Sequence, residues 1–517
     1  MAFHPRVYID MARKNLVLSG FILLKFLLQY VLLSPEYELQ RDEYLYLDQA
    51  RHLAWGYASV PPFTSWISLV IGFLGNSVFW VKFFPAFFGA LTMLLVWKAI
   101  EALKGDLFAL ILGASCILFS ALLRLNTLYQ PNSFDILSWT ALYFATLKYF
   151  QTENPKWLFL AALAFALGFL NKYNIAFLLV GLVPAILLSR HRRVLARKDF
   201  YLALGMVVLL VAPNLIWQYT NGFPVIHHME VLVHTQLVHN DSLEFIKLQF
   251  LFFIGSVFVI AAALYSLLFY SHFEKYKPFF WTFFLTLVVF IYFKAKAYYA
   301  IGLYPIYLAF GSVFISHVLR HGWKRHMRPV AVAIPVLFFI PLYNLIFPNK
   351  SPEYIRNHAA SYKALGLLRW EDGKDHELPQ DFADMLGWKE LATKVDKVYA
   401  GLPNPDKTLV LCDNYGQAGA INYYSKEGIQ AVSFNADYIH WFDLERPYLN
   451  LIRVKTREER NDEFRKTSPY FEEARIFDSI TNRFAREYGT TIFTFTGARI
   501  DVNKRIRQEI NSRLNSD

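Results

Sequence analysis

The chain has 517 residues, of which 55% are hydrophobic, 18% aromatic and only 18% charged, against roughly 45–50% apolar and about 25% charged in soluble domains. That balance excludes an ordinary soluble enzyme and points to the membrane. The formal net charge of +11 would suit nucleic acid if the basic residues shared a soluble face, but they cluster in loops between apolar runs and read as topology signals, so no nucleic-acid partner is expected.

Arg6, Arg13 and Lys14 precede the apolar stretch 16–33. It is longer than a signal-peptide core and lacks a small-residue cleavage pattern, so it is expected to be a first span. A bilayer core of about 30 Å takes roughly 17–25 helical residues. On that measure further spans are predicted near 79–100, 107–123, 134–150, 157–170, 175–188, 201–217, 246–270, 279–293, 298–318 and 330–347, which makes about eleven. The basic residues test this independently, because cytoplasmic loops carry the Lys/Arg excess. With the N-terminus inside, Arg190, Arg192, Arg193, Arg197 and Lys198 fall in one inner loop and Arg320, Lys324, Arg325 and Arg328 in another. Segments 34–65, 124–132, 171–174, 218–244 and 294–297, with the tail, then share the outer side. Nearly every unusual polar residue falls there.

In the first outer loop, Asp42 and Glu43 stand before an amphipathic stretch that ends at Trp55 and Tyr57, with Pro61 and Pro62 beyond. Its apolar spacing suits a helix lying in the membrane interface, with Trp55 and Tyr57 at headgroup depth. The carboxylate pair either caps that helix or is placed to accept a proton from a hydroxyl group. Asp135, close after Asn132, begins a span, where an ionisable side chain is costly and has a partner, a capping duty, or a role in substrate binding or as a second acid. Lys172 sits in a four-residue turn, where it either snorkels to headgroups or, with Lys294 or Lys296, neutralises a phosphate. Tyr298 and Tyr299 either add hydroxyl donors or belong to an aromatic belt. His227, His228, His234 and His239 crowd one outer loop, but adjacent histidines point apart and the spacing fits no compact metal-ligand set. Contacts to donor or acceptor and a merely polar loop both remain open for them. Cys116 falls in a span and Cys412 in the tail, so neither a disulfide nor a metal pattern is expected.

The apolar runs stop at about Phe347, dividing the chain into a membrane region, 1–348, and a soluble domain, 349–517, expected to fold alone. In the tail, 408–412 reads as a strand, 418–424 as a helix and 430–434 as a strand, an α/β order. Gly416 and Gly419 do not make a dinucleotide fingerprint. Asn414, Tyr415, Gln417, Asn435, Tyr438 and Trp441 lie at strand ends, where α/β sheets bind ligands; packing against the membrane region is the alternative.

The run Arg41-Asp42-Glu43-Tyr44, followed by Ala50-Arg51-His52-Leu53-Ala54-Trp55-Gly56-Tyr57 and Pro61-Pro62, resembles the first outer loop of bacterial glycosyltransferases of the dolichyl-phosphate-mannose-protein mannosyltransferase type. So, in order, do Tyr129 to Asp135, Gly168 to Tyr173, Pro213 to Gln218, Lys296 to Tyr299, and Asp413 to Ile421. The resemblance implies a mainly α, polytopic GT-C fold of about eleven spans with a C-terminal soluble α/β domain. It implies transfer of a sugar from a polyprenyl-phosphate donor to a glycan, lipid or protein acceptor, with inversion, at the periplasmic face of a bacterial inner membrane. Asp42 takes the place of the catalytic base, with Glu43 as neighbour and Asp135 as a second acid. Lys172, His227, His228, Lys294, Lys296, Tyr298, Tyr299, Tyr57 and Asn132 form the substrate-binding set, Lys296 and Tyr299 standing where the resemblance is closest. Neither a cofactor nor a metal is required by this scheme. One departure concerns the acceptor: relatives that modify lipid A with aminoarabinose tend to have Lys before the Pro-Pro pair, where this chain has Val60. A lipid or sugar transporter or flippase is the competing class, although no inverted repeat is visible and the polar groups gather on one side. Asp42, Asp135 and Lys296 are expected to line one cavity at the outer surface.

Overall fold

The computed structural model describes residues 5–515, with side chains from Asp10 to Leu514 other than His239. The membrane half is helical: α1 Pro5–Val31, α2 Arg41–Asp48, α3 Phe63–Phe73, α4 Val78–Ala102, α5 Leu107–Leu118, α6 Ala121–Leu125, α7 Asn132–Thr152, α8 Lys156–Asn171, α9 Ile175–Leu187, α10 Lys198–Thr220, α11 Pro224–Thr235, α12 Ser242–Phe252, α13 Val257–Phe269, α14 Lys277–Tyr292, α15 Pro305–Val318 and α16 Arg328–Ile346. Each predicted span is helical. Among the described residues, four helices are long and apolar enough to cross a membrane by themselves, or seven if each of three bent pairs is one span. The remaining four predicted spans are α5, α7, α8 and α14, of 12, 21, 16 and 16 residues. α7 is long enough to cross but carries Ser133, Asp135, Ser138, Thr140 and Thr146, all buried. A helix walled by other helices can hold such groups, because each finds a protein partner, whereas α1, α10 and α16 present exposed Leu23, Leu209 and Leu337 outward.

The tail holds five strands, β1 Thr408–Cys412, β2 Ala431–Ser433, β3 Asn450–Lys455, β4 Phe471–Ser479 and β5 Thr491–Ala498, in the order β2-β1-β3-β5-β4. β1 runs parallel to β2 and β3, while β5 pairs antiparallel with β3 and β4. The predicted strand, helix, strand order is present, with the helix at Tyr415–Tyr424. The chain leaves the C-terminal end of β1 through this helix to β2 on one side, and then returns past β1 to β3 on the other.

The tail does not pack as a separate body. One apolar core joins Leu39, Tyr44, Leu45 and Leu47 of the first outer loop to Ile355, Trp388, Val410, Ile421, Ile452 and Ile492 of the tail. The amphipathic helix α2 therefore buries its apolar face against protein instead of lying in the membrane interface as expected. Gly416 and Gly419 explain the close approach: a Cβ at Gly419 would stand 2.7 Å from both the Tyr44 Cβ and the Tyr438 hydroxyl. Gly419→Ala is expected to destabilise this junction by about 1–3 kcal/mol, the range for overpacking a filled core, measured as a lowered thermal unfolding midpoint of the solubilised protein.

Candidate active site

Where α2 begins decides which carboxylate is free. Gln40 is the N-cap: its side-chain oxygen accepts from the Asp42 amide at 2.9 Å, while Glu43 Oε2 accepts from the Gln40 amide at 2.6 Å, a reciprocal capping box. Glu43 is fully buried, takes both bonds of the Lys82 ammonium at 2.7 Å and also accepts from the Tyr129 amide. Its lone pairs are spent on structure, and it does not line the cavity.

Asp42, one residue earlier, turns outward into a cavity of about 740 Å³ between the helices and the tail. Its Oδ1 accepts from the Tyr415 hydroxyl at 2.6 Å and its Oδ2 from Gln130 at 3.3 Å. Arg41 donates to the same Tyr415 oxygen at 2.5 Å. Burial first, and the Asp42 charge second, hold the Tyr415 hydroxyl well above its usual pKa, so at neutral pH it stays a donor and Asp42 keeps its acceptor role. The chain continues along the wall: Lys172 donates to Asn132 at 2.8 Å, Asn132 to Gln130 at 3.0 Å, and Gln130 to Asp42. Lys172 also lies over the Tyr299 ring, 4.1 Å from its centroid, and over Tyr298 at 5.2 Å. Lys296 faces the same space and pairs with Glu371 of the tail at 2.7 Å. Burial raises the Glu371 carboxyl, but Lys296 and Gln380 together outweigh it and keep it below its usual value. His228 lines the cavity, where burial first and Lys296 next lower its pKa and keep it neutral. Burial pushes Asp384, on the tail side, up to about 6.

The sequence-predicted residues thus divide. Asp42, Asn132, Lys172, His228, Lys296, Tyr298 and Tyr299 share the cavity. Asp135 does not line it and caps nothing: it accepts from Trp139 at 3.0 Å and from Asn174 at 2.9 Å, and Asn174 holds the Tyr299 carbonyl at 2.9 Å. Asp135 stands one layer behind the wall and sets the position of the tyrosine turn. Tyr57 is buried, with its hydroxyl between the carbonyls of Gln49 and His52, and ties down the first outer loop. His227 and Lys294 are exposed outside the lining, His227 within 4.0 Å of Glu230; His234 is also exposed, and the His239 side chain lies outside the described residues. Of the tail candidates only Tyr415 enters the cavity; Asn414 caps its helix, Gln417 bonds Glu487, Asn435 receives the Tyr415 amide, Tyr438 bonds Asp48 and Trp441 stacks on His52. Glu371, Gln380 and Asp384 were not foreseen, and nothing in their local sequence marks them.

A second, apolar cavity of about 230 Å³ adjoins the first, sharing Leu125, Leu248, Phe252 and Tyr298 with it and walled further by Phe119, Ile301, Phe339 and Leu342. Together they present an apolar groove that ends at cations and a carboxylate, the shape of a site for a phosphorylated lipid.

Residues 59–217 match the family described as dolichyl-phosphate-mannose-protein mannosyltransferase. Across the whole chain the fold is that of ArnT from Cupriavidus metallidurans: the apo structure superposes with a TM-score of 0.61 at 12% identity, covering 93% of this chain and 98% of that one. The undecaprenyl-phosphate-bound structure gives 0.59 at 11% identity, covering 94% and 98%. The class is therefore that of polytopic membrane proteins with the GT-C fold and a C-terminal sheet domain, as the resemblance implies. A lipid A galacturonosyltransferase of Rhizobium johnstonii, RgtD, is 26% identical over 217 residues, 40% of this chain. That match spans 45% of RgtD, less than half of the relative's length.

Proposed function

We propose that the protein is a glycosyltransferase that moves a sugar from a polyprenyl-phosphate donor to a glycan, lipid or protein acceptor at the periplasmic face of a bacterial inner membrane. The observation that carries this reading is the hydrogen-bonded run from Lys172 through Asn132 and Gln130 to Asp42, which sets a cation and a carboxylate on one cavity wall beside an apolar groove. The polyprenyl chain enters the groove and its phosphate meets Lys172 and Lys296. The acceptor hydroxyl approaches Asp42, gives it its proton and attacks the anomeric carbon, and the bond from that carbon to the phosphate oxygen breaks. The departing lipid phosphate gains negative charge, which the two ammonium groups and the hydroxyls of Tyr298 and Tyr299 receive without reorganising. The undecaprenyl phosphate bound to ArnT and the galacturonosyl transfer assigned to RgtD support the same reading. Mass spectrometry of envelope lipids and glycans from a strain lacking the gene should show one glycosyl increment lost and restored by complementation. Unchanged glycoconjugates would reject the activity, and labelling that put residues 34–65 in the cytosol would reject the orientation.

Lys296 reaches the donor only by leaving Glu371. Glu371→Gln removes that competitor, so the KM for donor is expected to fall by about two- to fivefold, the worth of a part-exposed ion pair, with kcat nearly unchanged in initial-rate measurements.

A further inference from the structure

At the end of the helices remote from Asp42 lies another large cavity, of about 1020 Å³, formed where α4, α7, α13 and α15 end and their connecting loops begin. These loops belong to the side on which the basic residues concentrate. Five cations line it, Lys98, Lys104, Lys148, Lys275 and Arg320, against two carboxylates, Glu101 and Asp106. Both carboxylates are engaged: Glu101 holds Lys98 at 2.8 Å, and Asp106 caps α5 and pairs with Arg328 at 3.1 Å. Among the described residues, Lys104, Lys148, Lys275 and Arg320 have no ion-paired carboxylate. Lys148 bonds the neutral Gln151 at 3.2 Å, and Lys275 lies over the Tyr276 ring. Burial first, then the charges of Arg190 and Lys148, press the Lys275 pKa below its usual value.

Four helix C-termini converge here and carry roughly half a negative charge each, offsetting about two of the four. About two positive charges remain, enough to hold the single negative charge of a lipid phosphodiester or the one to two of inorganic phosphate. Beside them Leu103, Phe144, Phe273 and Val313 supply apolar wall, so the space is polar at its mouth and greasy at its side.

We propose that this cavity binds a phosphate-bearing anion, an anionic phospholipid of the inner leaflet whose headgroup sits among Lys104, Lys148, Lys275 and Arg320. Basic pockets between helices on the cytoplasmic side are suited to such headgroups, each cation adding a similar increment of binding. Free phosphate is the other source of the same chemistry, and the test separates the two. Full-length protein in neutral detergent is titrated with dioleoyl phosphatidylglycerol, dioleoyl phosphatidylcholine or inorganic phosphate at matched ionic strength, and the thermal unfolding midpoint is followed.

A saturable rise with phosphatidylglycerol and little with phosphatidylcholine is expected. Lys104→Gln, Lys275→Gln and Arg320→Gln combined should need at least about tenfold more lipid for half the effect, while Lys104→Arg, Lys275→Arg and Arg320→Lys combined should keep it. Should the triple glutamine protein fold poorly, Arg320→Gln alone, at an exposed position, gives the same test with a severalfold shift. A saturable response to phosphate alone, lost in the glutamine variant, supports the site and assigns it to a soluble anion. The proposal is overturned if phosphatidylglycerol stabilises the glutamine variants as well as the wild type, for the lipid then sits elsewhere, or if neither anion gives a saturable response.

Discussion

Asp42→Asn is expected to lower turnover by about 10²–10⁴-fold, the usual contribution of a general base, with donor affinity changed less than about twofold. Asparagine keeps the shape of the side chain, and its single amide oxygen can still accept from Tyr415 while the long 3.3 Å bond from Gln130 is given up, so most of the cavity wall should survive while the proton acceptor is lost. Initial rates with a polyprenyl-phosphate sugar, and separate measurement of donor binding, divide the two effects. A scaffold or transporter would show no transfer even in the wild type, whereas a transferase whose base lies elsewhere would keep its turnover in this variant. If instead donor binding collapses with turnover, Asp42 belongs to the framework that shapes the cavity and not to the chemistry.

The largest stability effect is expected one residue along. Lys82→Met or Glu43→Gln should each destabilise the fold by about 3–5 kcal/mol, because each removes half of a buried ion pair and leaves the other half, or its hydrogen-bond partners, uncompensated. Glu43 binds together α4 through Lys82, the turn before α7 through the Tyr129 amide, and its own helix through Gln40, so the loss propagates to the mouth of the cavity. The combined variant should recover much of the loss, since neither charge then remains buried alone. Thermal unfolding of the detergent-solubilised proteins is the measurement. A Glu43→Gln protein that unfolds like wild type yet has lost turnover would return Glu43 to the catalytic group.

The apolar runs made every long helix legible, because a side chain facing lipid has no alternative to being apolar. They were less informative about span number: α5, α8 and α14 are short, and α7 mixes polar with apolar residues since it faces other helices. Among the residues that line the cavity, Asp42, Asn132, Lys172, His228, Lys296, Tyr298 and Tyr299 were legible because segments predicted to share one side of the membrane and an ionisable or aromatic character at its boundary single them out. Asp135 and Glu43 show the same signal and have different placements. An ionisable residue in a membrane protein announces that it has a partner, and the sequence does not say whether that partner is a substrate or, as here, Trp139 and Asn174 in one case and Lys82 in the other. Glu371 and Asp384 carried no such signal, for charged residues are ordinary in a soluble segment.

From sequence alone followed the membrane class, the positions of the helices that form the predicted spans, the gathering of polar groups on one side and the strand-helix-strand start of the tail. These are consequences of local hydropathy, charge and periodicity, which act within a few residues. Tertiary structure alone decided that the tail and the first outer loop share one core, that Tyr415 crosses 373 positions of sequence to hold Asp42, and that Glu371 meets Lys296. Such contacts depend on where chain segments distant in sequence come to rest, and the two glycines that permit the approach look, in one dimension, like any others.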